Sequence, residues 1–348
     1  MRTFGIFLAA VCAILVIITG VLTLLFFNIE RKAFSAETYK RAFEKQGLYN
    51  RMPGTLAEVL TTAITQNAQA TTYLKSFTVQ DWESAMSALI PPEELKALAN
   101  STLDSTFDYL NGRTDSIVIS LAPFKSHLTG PGGVEAILQL LHAQPTCTID
   151  QIIELTFAAI SGGELIFCNP PPEAVQVVRP LIESQLQFMT FAFPDQITLI
   201  STQHAGTPED PRLNLKIARS IMKISPLFPM IFLLGLTIFA VRGLIDWLKW
   251  WGLPFLFTGL ISFLIAVPGA ALVGFIIQWI LERQVARLIP PVLLSTLRET
   301  VSAVAREILG PMAIVGLVLA GMGLIMVLVA VFLGIREKDR TIPRWEAR

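Results

Sequence analysis

The chain has 348 residues, of which 53% are hydrophobic and 16% charged, and its mean hydropathy is +0.58. These values lie well outside the range of an ordinary soluble domain and favour an integral membrane protein. Lys+Arg and Asp+Glu number 27 each, so the net charge is zero and no basic excess indicates nucleic-acid binding.

Four long apolar runs have no Asp, Glu, Lys or Arg in their cores. They are Phe4 to Phe27, Leu227 to Val241, Leu253 to Leu281 and Met312 to Ile335. A helix needs roughly 20 apolar residues to cross the hydrocarbon, and three runs meet that length, whereas the Leu227 run must recruit flanking residues. The first run exceeds the apolar region of a signal peptide, so residues 1–27 predict an uncleaved anchor. The sequence therefore predicts four transmembrane helices.

Residues 28–225 separate the first two runs and are long enough for a compact domain with its own core. Thr78 to Asp81 has the pattern of a capping box, and Pro91 to Glu94 places proline and carboxylates in the first turn of a helix. Upstream, the first membrane helix is expected to continue to Gly47, and Pro53 to open the next helix. This half of the domain predicts a helical bundle.

Two short β-branched segments, Ser116 to Leu121 and Gln196 to Ser201, predict strands that pair with one another. The other expected elements are a glycine-rich loop at Gly130 to Gly133 and helices at Val134 to His142, Ile149 to Ile160, Glu173 to Phe191 and Pro211 to Lys223. The last helix leads directly into the second membrane run.

Residues 226–335 predict a module of three membrane helices with two connections. Arg242 to Gly252 contains three tryptophans and is expected to form a short turn at the membrane surface, because indole rings favour the headgroup region. Residues 282–310 predict an amphipathic hairpin outside the bilayer. The expected fold class is an all-α membrane protein, with four transmembrane helices and a mainly α-helical extracytoplasmic domain that contains a small β element.

The large domain contains two cysteines, Cys147 and Cys168, each near proline, whereas Cys12 lies in the first apolar run. The two domain cysteines either form a disulfide on an oxidising side of the membrane or stay free thiols in a reducing compartment. A disulfide between them would stabilise the domain by about 3 kcal/mol. We predict the disulfide.

Charge near the apolar runs indicates the orientation of the chain. Four crossings place both termini on one side, and the tail, residues 336–348, carries five Arg or Lys residues. The positive-inside rule assigns this basic tail to the cytoplasm, so the large domain is predicted outside, in a multi-pass protein of the cell (plasma) membrane. Basic residues also flank the membrane on the outer side in this arrangement, namely Arg31, Lys32, Lys216, Arg219, Lys223, Arg283 and Arg287.

Small residues recur every four positions along the third apolar run. They are Ser262, Ala266, Ala270 and Gly274, and the last run has a similar pair in Gly316 and Ala320. Small side chains allow membrane helices to approach closely, so we predict that these two helices pack through these six residues.

Motifs that carry chemistry are absent from the sequence: there is no P-loop, HExxH, GxSxG or cysteine-rich metal pattern. His127, His142 and His204 lack the spacing of metal ligands. We therefore predict no catalytic, cofactor-binding or metal-binding residue, no cofactor and no enzymatic activity. Because the four runs also lack ionisable residues, the sequence argues against a secondary transporter.

Several short motifs carry a resemblance to known sequences: Tyr39, Gly47 to Tyr49, Pro145 to Cys147 and Asp246 to Gly252. Together they resemble an uncharacterised family of bacterial multi-pass membrane proteins, which implies no known activity. The layout of one helix, a large outer domain and three helices also resembles FtsX-like and MacB-like permeases that work with an ATPase. The chain departs from that layout because its outer domain is predicted to be mainly helical.

The favoured hypothesis is a membrane protein that presents an extracytoplasmic interaction or sensory domain to an unknown ligand. One alternative is a subunit of an ABC-type or other membrane complex. A second alternative is a cell-envelope enzyme, which would need a pocket with clustered carboxylates or a histidine paired with a carboxylate. The expected partners are the lipid bilayer and a protein of the cell envelope or a second copy, with no nucleic acid.

The orientation can be tested with reporter fusions after Arg348. A reporter that is active only in the cytoplasm should be active there, and one that is active only outside should be silent, because the basic tail stays on the cytoplasmic side. The opposite pair of activities would overturn the predicted topology.

Overall fold

A computed structural model describes residues 2–70, 72–151, 153, 168–201, 210, 212–284 and 290–341. The helices with described limits are α1 (Arg2–Ala33), α2 (Ala36–Lys45), α3 (Leu48–Gln66), α4 (Thr72–Ser76), α5 (Val79–Leu89), α6 (Pro92–Leu110), α7 (Ala122–Thr129), α8 (Pro131–His142), α9 (Pro172–Phe191), α10 (Leu213–Ile224), α11 (Leu227–Ala240), α12 (Leu244–Gln284) and α13 (Pro291–Thr341). The strands are β1 (Ser116–Ser120) and β2 (Gln196–Ser201). The predicted helix over residues 149–160 lies mostly outside the described residues.

The chain divides into two compact units. The span unit comprises Met1–Thr38, Gly206–Ile277 and Val301–Arg348, and the helical-domain unit comprises Tyr39–Ala205 and Gln278–Thr300. Residues 278–300 thus group with the large domain, where Arg51 and Glu299 form an exposed ion pair at 2.8 Å.

The first membrane helix does not continue to Gly47 as expected. It ends at Ala33, and α2 begins after Ser35, whose carbonyl accepts a hydrogen bond from the Thr38 N–H at 3.1 Å. Gly47 does end α2, because its φ of 59° is a left-handed conformation that glycine adopts without strain. The same residue caps α3, so this helix begins at Leu48 and Pro53 lies inside it, not at its start.

The predicted start signals of α5 and α6 are confirmed. The Thr78 hydroxyl accepts a hydrogen bond from the Asp81 N–H, and the Asp81 carboxylate accepts one from the Thr78 N–H, which completes the capping box. Helix α6 begins at Pro92 with two carboxylates in its first turn and ends before Asn111.

The segment predicted as a loop at Gly130 to Gly133 is instead the first turn of α8, which begins at Pro131. The preceding helix, α7, was not predicted. A Cβ on Gly133 would overlap the backbone of Leu128, and one on Gly132 would meet the ring of His127. These glycines therefore serve the close approach of α8 to α7 and not a flexible loop.

Two apolar clusters form the core of the helical-domain unit. Helix α8 packs against α9 through its buried residues, and a second cluster surrounds Phe77 and Trp82, whose ring centroids lie 5.2 Å apart. The buried members are Val134, Leu138, Leu141 and Leu186 in the first cluster and Ala57, Phe77 and Trp82 in the second. Each large apolar side chain buried in this way stabilises the fold by about 1.5–3 kcal/mol.

The two predicted strands pair as expected. Strand β1 runs antiparallel to β2, with Ser116 opposite Ser201 and Ser120 opposite Gln196. A shift in register between Ile117 and Val118 leaves Leu199 without a partner in the ladder, as in a β-bulge. Strand β1 also packs against α6, where the Val118 N–H donates to the Ser105 hydroxyl at 2.9 Å.

Among the residues that the structure describes, four helical segments are long and apolar enough to cross a membrane. They are Gly5–Ala33, Leu213–Ala240, Leu244–Ile280 and Pro291–Glu337. The second comprises α10 and α11, so the short apolar run recruits residues on its N-terminal side. These helices fit the multi-pass membrane protein that composition predicted.

The first predicted connection between the last three runs is shorter than expected. Only residues 241–243 separate α11 from α12, so most of Arg242 to Gly252 is helical. The Trp251 indole N–H, which was expected at a surface turn, donates to the Thr237 hydroxyl at 3.0 Å. The amphipathic segment of the second connection is helical, because α13 begins at Pro291 and continues through Pro311 into the last apolar run. Its place outside the bilayer stays a prediction. Because the helix continues across Pro311, the sequence does not indicate the residue at which the amphipathic segment joins the apolar run.

Within the span unit, α12 and α13 approach closely at small residues. Ser262, Ala266 and Ala270 are at most 5% exposed, and Gly274 is buried as well. A Cβ on Gly316 would lie 2.9 Å from the Gly259 carbonyl oxygen, and a Cβ on Gly259 would overlap the backbone of Ala320. Ser262, Gly316 and Ala320 therefore lie where the backbones of α12 and α13 meet. Packing of the two helices through all six small residues stays a prediction.

Gly316→Leu and Ala270→Leu should each destabilise the detergent-solubilised protein by about 1–3 kcal/mol, because a larger side chain must push packed helices apart. Gly321→Leu is the matched control in α13, since a Cβ there meets nothing within 4 Å. Thermal unfolding checks this prediction, and equal midpoints for Gly316→Leu and Gly321→Leu would contradict it.

Candidate functional site

Cys147 and Cys168 form a disulfide, with Cα atoms 5.0 Å apart. The backbone on either side is held by a short parallel bridge between Thr146 and Asn169. In this bridge the Cys147 N–H donates to the Asn169 carbonyl at 2.9 Å, and the Asn169 N–H donates to the Pro145 carbonyl at 2.8 Å. The predicted pairing is confirmed, and it gives the two cysteines a structural role.

A wide cavity of about 570 Å³ lies beside the disulfide. Its lining residues are His142, Thr146, Cys147, Asn169, Pro170, Pro171, Pro172 and Val175. His142 Nδ1 lies 2.9 Å from the Asn169 amide oxygen, so the polar contact of this histidine is with an amide and not with a carboxylate. The described lining residues therefore include no histidine–carboxylate pair that could transfer protons.

A second cavity, of about 270 Å³, lies between α6 and α7. Its lining residues are Ile90, Glu94, Ala97, Leu98, Ser101, Ser120, Pro123 and Phe124. Glu94 is the one carboxylate among these described residues, which therefore do not provide the clustered carboxylates that the enzyme hypothesis requires.

Shifted pKa values in the helical-domain unit have structural causes. Burial raises the pKa of the Tyr39 and Tyr49 phenols, and a hydrogen bond to the Glu44 carboxylate raises the pKa of the exposed Lys96 amine. None of these groups lines either cavity. The shifts therefore do not indicate a reaction site.

Potential metal ligands are dispersed in the part of the chain that the structure describes, which contains no cluster of three His, Cys, Asp or Glu residues. His127 Nε2 lies 2.9 Å from the Ala88 carbonyl oxygen, where it joins α7 to α5. His204 lies outside the described residues.

A continuous stretch of the helical-domain unit is exposed although it is strongly apolar. Every residue from Phe191 to Ile200 is exposed, and so are apolar residues on the outer side of α9. We name this feature the apolar surface and define it as Phe188, Met189, Phe191, Phe193, Ile197, Leu199 and Ile200, whose exposed fractions range from 40% for Ile197 to 89% for Phe191. Single exposed apolar residues are common, whereas groups of this size are typical of surfaces that bind a partner.

The face that α9 turns to the core explains why the phenylalanines are exposed. Val178, Leu186 and Thr190 are the buried residues of this helix, and Leu186 belongs to the cluster with α8. Phe188 and Phe191 are three residues apart and lie on a different face of the helix. The core therefore needs only one side of α9, and the aromatic side is left exposed.

The strand that follows α9 extends the apolar surface. All six residues of β2 are exposed, although Ile117 on the neighbouring strand is buried. Because of the bulge, Ile197 and Ile200 are opposite Ile119 and Ile117 and share a face of the ladder, while Leu199 projects without a partner.

Hydrogen bonds and an ion pair hold the link between α9 and β2, residues 192–195, in place. The Lys125 amine lies 2.8 Å from the Asp195 carboxylate and donates to the Phe193 carbonyl at 3.1 Å. The Leu121 N–H donates to the Asp195 carbonyl at 2.8 Å. These contacts tie the link to the start of α7 and hold the aromatic residues in a defined position.

Sequence reasoning located α9 and β2 but missed the apolar surface. The available signal was the density of large apolar residues from Phe188 to Ile200, which exceeds what one buried helix face and a two-stranded ladder require. Helical and strand periodicity identify the elements, but only the packing of α9 on α8 identifies which face remains uncovered.

Comparison with known proteins gives no relative. No protein-family model, no curated protein and no solved structure matches the chain. The resemblances described from the sequence gain no support from these comparisons.

The double variant Cys147→Ser/Cys168→Ser should have a free energy of unfolding about 3 kcal/mol lower than that of the wild type. Without the disulfide the unfolded chain has more conformational freedom, which favours the unfolded state. Thermal unfolding in detergent measures this change, and Cys12→Ala serves as the control because Cys12 is outside the disulfide. Alkylation of both cysteines without prior reduction would contradict the disulfide.

Proposed function

We propose that this chain is a multi-pass plasma-membrane protein with both termini in the cytoplasm, whose helical domain lies on the extracytoplasmic side and binds another protein. The apolar surface of α9 and β2 is the observation that carries the proposed binding. Membrane insertion, orientation and protein binding are each supported by separate features of the chain.

Membrane insertion is supported by the four long apolar helices. Their most apolar windows are only 28%, 11%, 22% and 22% buried within the protein. Residues such as Ile231 and Leu317 are more than half exposed, so these helices present large apolar side chains that water would not solvate favourably. Hydrocarbon is the solvent that fits such helices.

The orientation is supported by two independent features. A structural disulfide persists in an oxidising compartment, which favours a helical domain outside the cytoplasm. The five basic residues of the tail favour a cytoplasmic C-terminus. With four crossings, both features agree on the same topology.

The chemistry of the apolar surface favours a protein as the bound partner. Three phenylalanines and a methionine are residue types enriched at protein interfaces, and their side chains form an outward surface and not an enclosed pocket. In the part of the chain that the structure describes, β2 pairs with β1 alone. A partner with an extended apolar segment would add a strand beside β2 and cover Leu199 and the phenylalanines together.

Site-specific photo-crosslinking in intact cells tests this proposal. A photo-reactive residue at Phe191 should yield a discrete adduct with another protein, whereas one at Glu58, an exposed residue of α3, should not. Adding Leu199→Asp should abolish the Phe191 adduct, because a buried unpaired carboxylate opposes association. Leu199→Met should preserve it, since methionine keeps an apolar side chain of similar size.

The possible outcomes separate the hypotheses. Equal labelling at Phe191 and Glu58, or an adduct that survives Leu199→Asp, would overturn binding through the apolar surface. An adduct between two copies of the chain would replace the foreign partner with a homo-oligomer.

A further inference from the structure

Two arginine–carboxylate pairs, one buried and one partly buried, lie near the end of α1 and along α10 in the span unit. Arg219 Nη2 is 3.2 Å from Glu30 Oε1, and the two side chains are 18% and 13% exposed. Arg212 Nε is 3.0 Å from Asp210 Oδ1, and these side chains are 4% and 2% exposed. Each carboxylate is thus neutralised by a guanidinium within hydrogen-bonding distance.

A lysine accompanies each of these pairs at a longer distance. Lys223 Nζ is 3.6 Å from the Glu30 carboxylate, and Lys216 Nζ is 3.9 Å from the Asp210 carboxylate. Their side chains are 63% and 50% exposed, far more than those of the arginines. Because the arginines already neutralise the carboxylates, the two lysines add positive charge that faces outward.

The charged residues around the end of α1 and along α10 also show an excess of positive charge. Among the described residues of segments 30–38 and 210–224 there are six basic residues and three carboxylates. The basic ones are Arg31, Lys32, Arg212, Lys216, Arg219 and Lys223, and the carboxylates are Glu30, Glu37 and Asp210. Contact between α1 and α10 brings the two segments together, as the Arg219 guanidinium over the Phe34 ring at 4.6 Å illustrates.

The lysines border an apolar stripe on α10. The stripe consists of Leu213, Ile217, Ile221 and Ile224, which are 40% to 57% exposed and follow one another at steps of three and four residues. Lys216 and Lys223 are seven residues apart, so their amines lie on one side of the stripe and about 10 Å apart along the helix. This arrangement is typical of a helix whose apolar face enters the acyl region while its lysines stay among the headgroups.

The length of the helix that follows α10 indicates that α10 lies at the bilayer surface. Helix α11 has 14 residues and reaches only about 21 Å, which is less than the roughly 30 Å of hydrocarbon. The end of α10 must therefore reach the boundary between acyl chains and headgroups for this span to cross. The lysines are then at headgroup depth.

We infer that Lys216 and Lys223 form a binding site for the phosphodiester headgroups of anionic phospholipids. The Arg219–Glu30 pair holds α10 against α1, and the buried Arg212–Asp210 pair fixes the start of α10. The stripe then enters the acyl region, and the two amines contact lipid phosphates. The site depends on membrane insertion but not on which side of the membrane the helical domain lies, so it is separate from the protein binding proposed above.

Native mass spectrometry of the full chain in detergent, with added phosphatidylglycerol or phosphatidylcholine, tests this site. The protein should retain phosphatidylglycerol in preference to phosphatidylcholine. Lys216→Gln/Lys223→Gln should weaken phosphatidylglycerol binding roughly tenfold. Each lysine near an anionic lipid raises the affinity by up to about fivefold, and the carboxylates beside these two lysines reduce their combined effect.

Three controls make the result decisive. Lys45→Gln/Lys75→Gln removes the same charge from the helical-domain unit and should leave phosphatidylglycerol binding unchanged. Lys216→Arg/Lys223→Arg should retain it, and its retention would exclude misfolding as the cause of loss in the glutamine variant. Displacement of phosphatidylglycerol by inorganic phosphate would reassign the site to free phosphate. Equal phosphatidylglycerol binding by the wild type and Lys216→Gln/Lys223→Gln would overturn the proposal.

Discussion

The exclusion of apolar side chains from water is the constraint on which the rest of the structure depends. Four helices carry more leucine, isoleucine, valine and phenylalanine than the chain can cover with its own atoms, as their low internal burial shows. A helix satisfies its own backbone hydrogen bonds, so it is the one local structure that tolerates such surroundings along its whole length. Contacts between these helices then rest on small residues and a few polar links, for example the hydrogen bond from the Thr23 hydroxyl of α1 to the Ser225 carbonyl at 2.9 Å.

The helical-domain unit differs, because its core is built from helices that bury one face and expose the other. Helix α9 buries Val178 and Leu186 against α8 and leaves its phenylalanines outside. A similar separation recurs at α10, where Arg219 and the preceding Arg212 pair with carboxylates and an apolar stripe remains exposed. In both helices the packing of the opposite face determines which apolar residues stay exposed. These residues therefore occur together on one face, unlike single apolar residues scattered over a surface.

Much of the architecture could be predicted from the sequence, because the strongest signals act locally. The capping box at Thr78, the proline start of α6 and the β-branched runs of β1 and β2 each determine structure within a few residues, and all are present. Predictions that failed depended on contacts distant in space. The glycines at the start of α8 look like a loop until Leu128 is placed beside them, and the limits of α12 and α13 depend on helix continuing across polar residues. The apolar surface was missed for the same reason, since exposure is a property of packing and not of local pattern.

The disulfide also has a topological consequence. Cys147 and Cys168 enclose the intervening residues in a covalent ring of sequence separation 21. If a peptide bond inside this ring is cut, the parts before and after the cut remain joined through sulfur, so α8 and α9 stay in one molecule. Such a cut would be invisible by size until a reductant opened the ring and released two fragments.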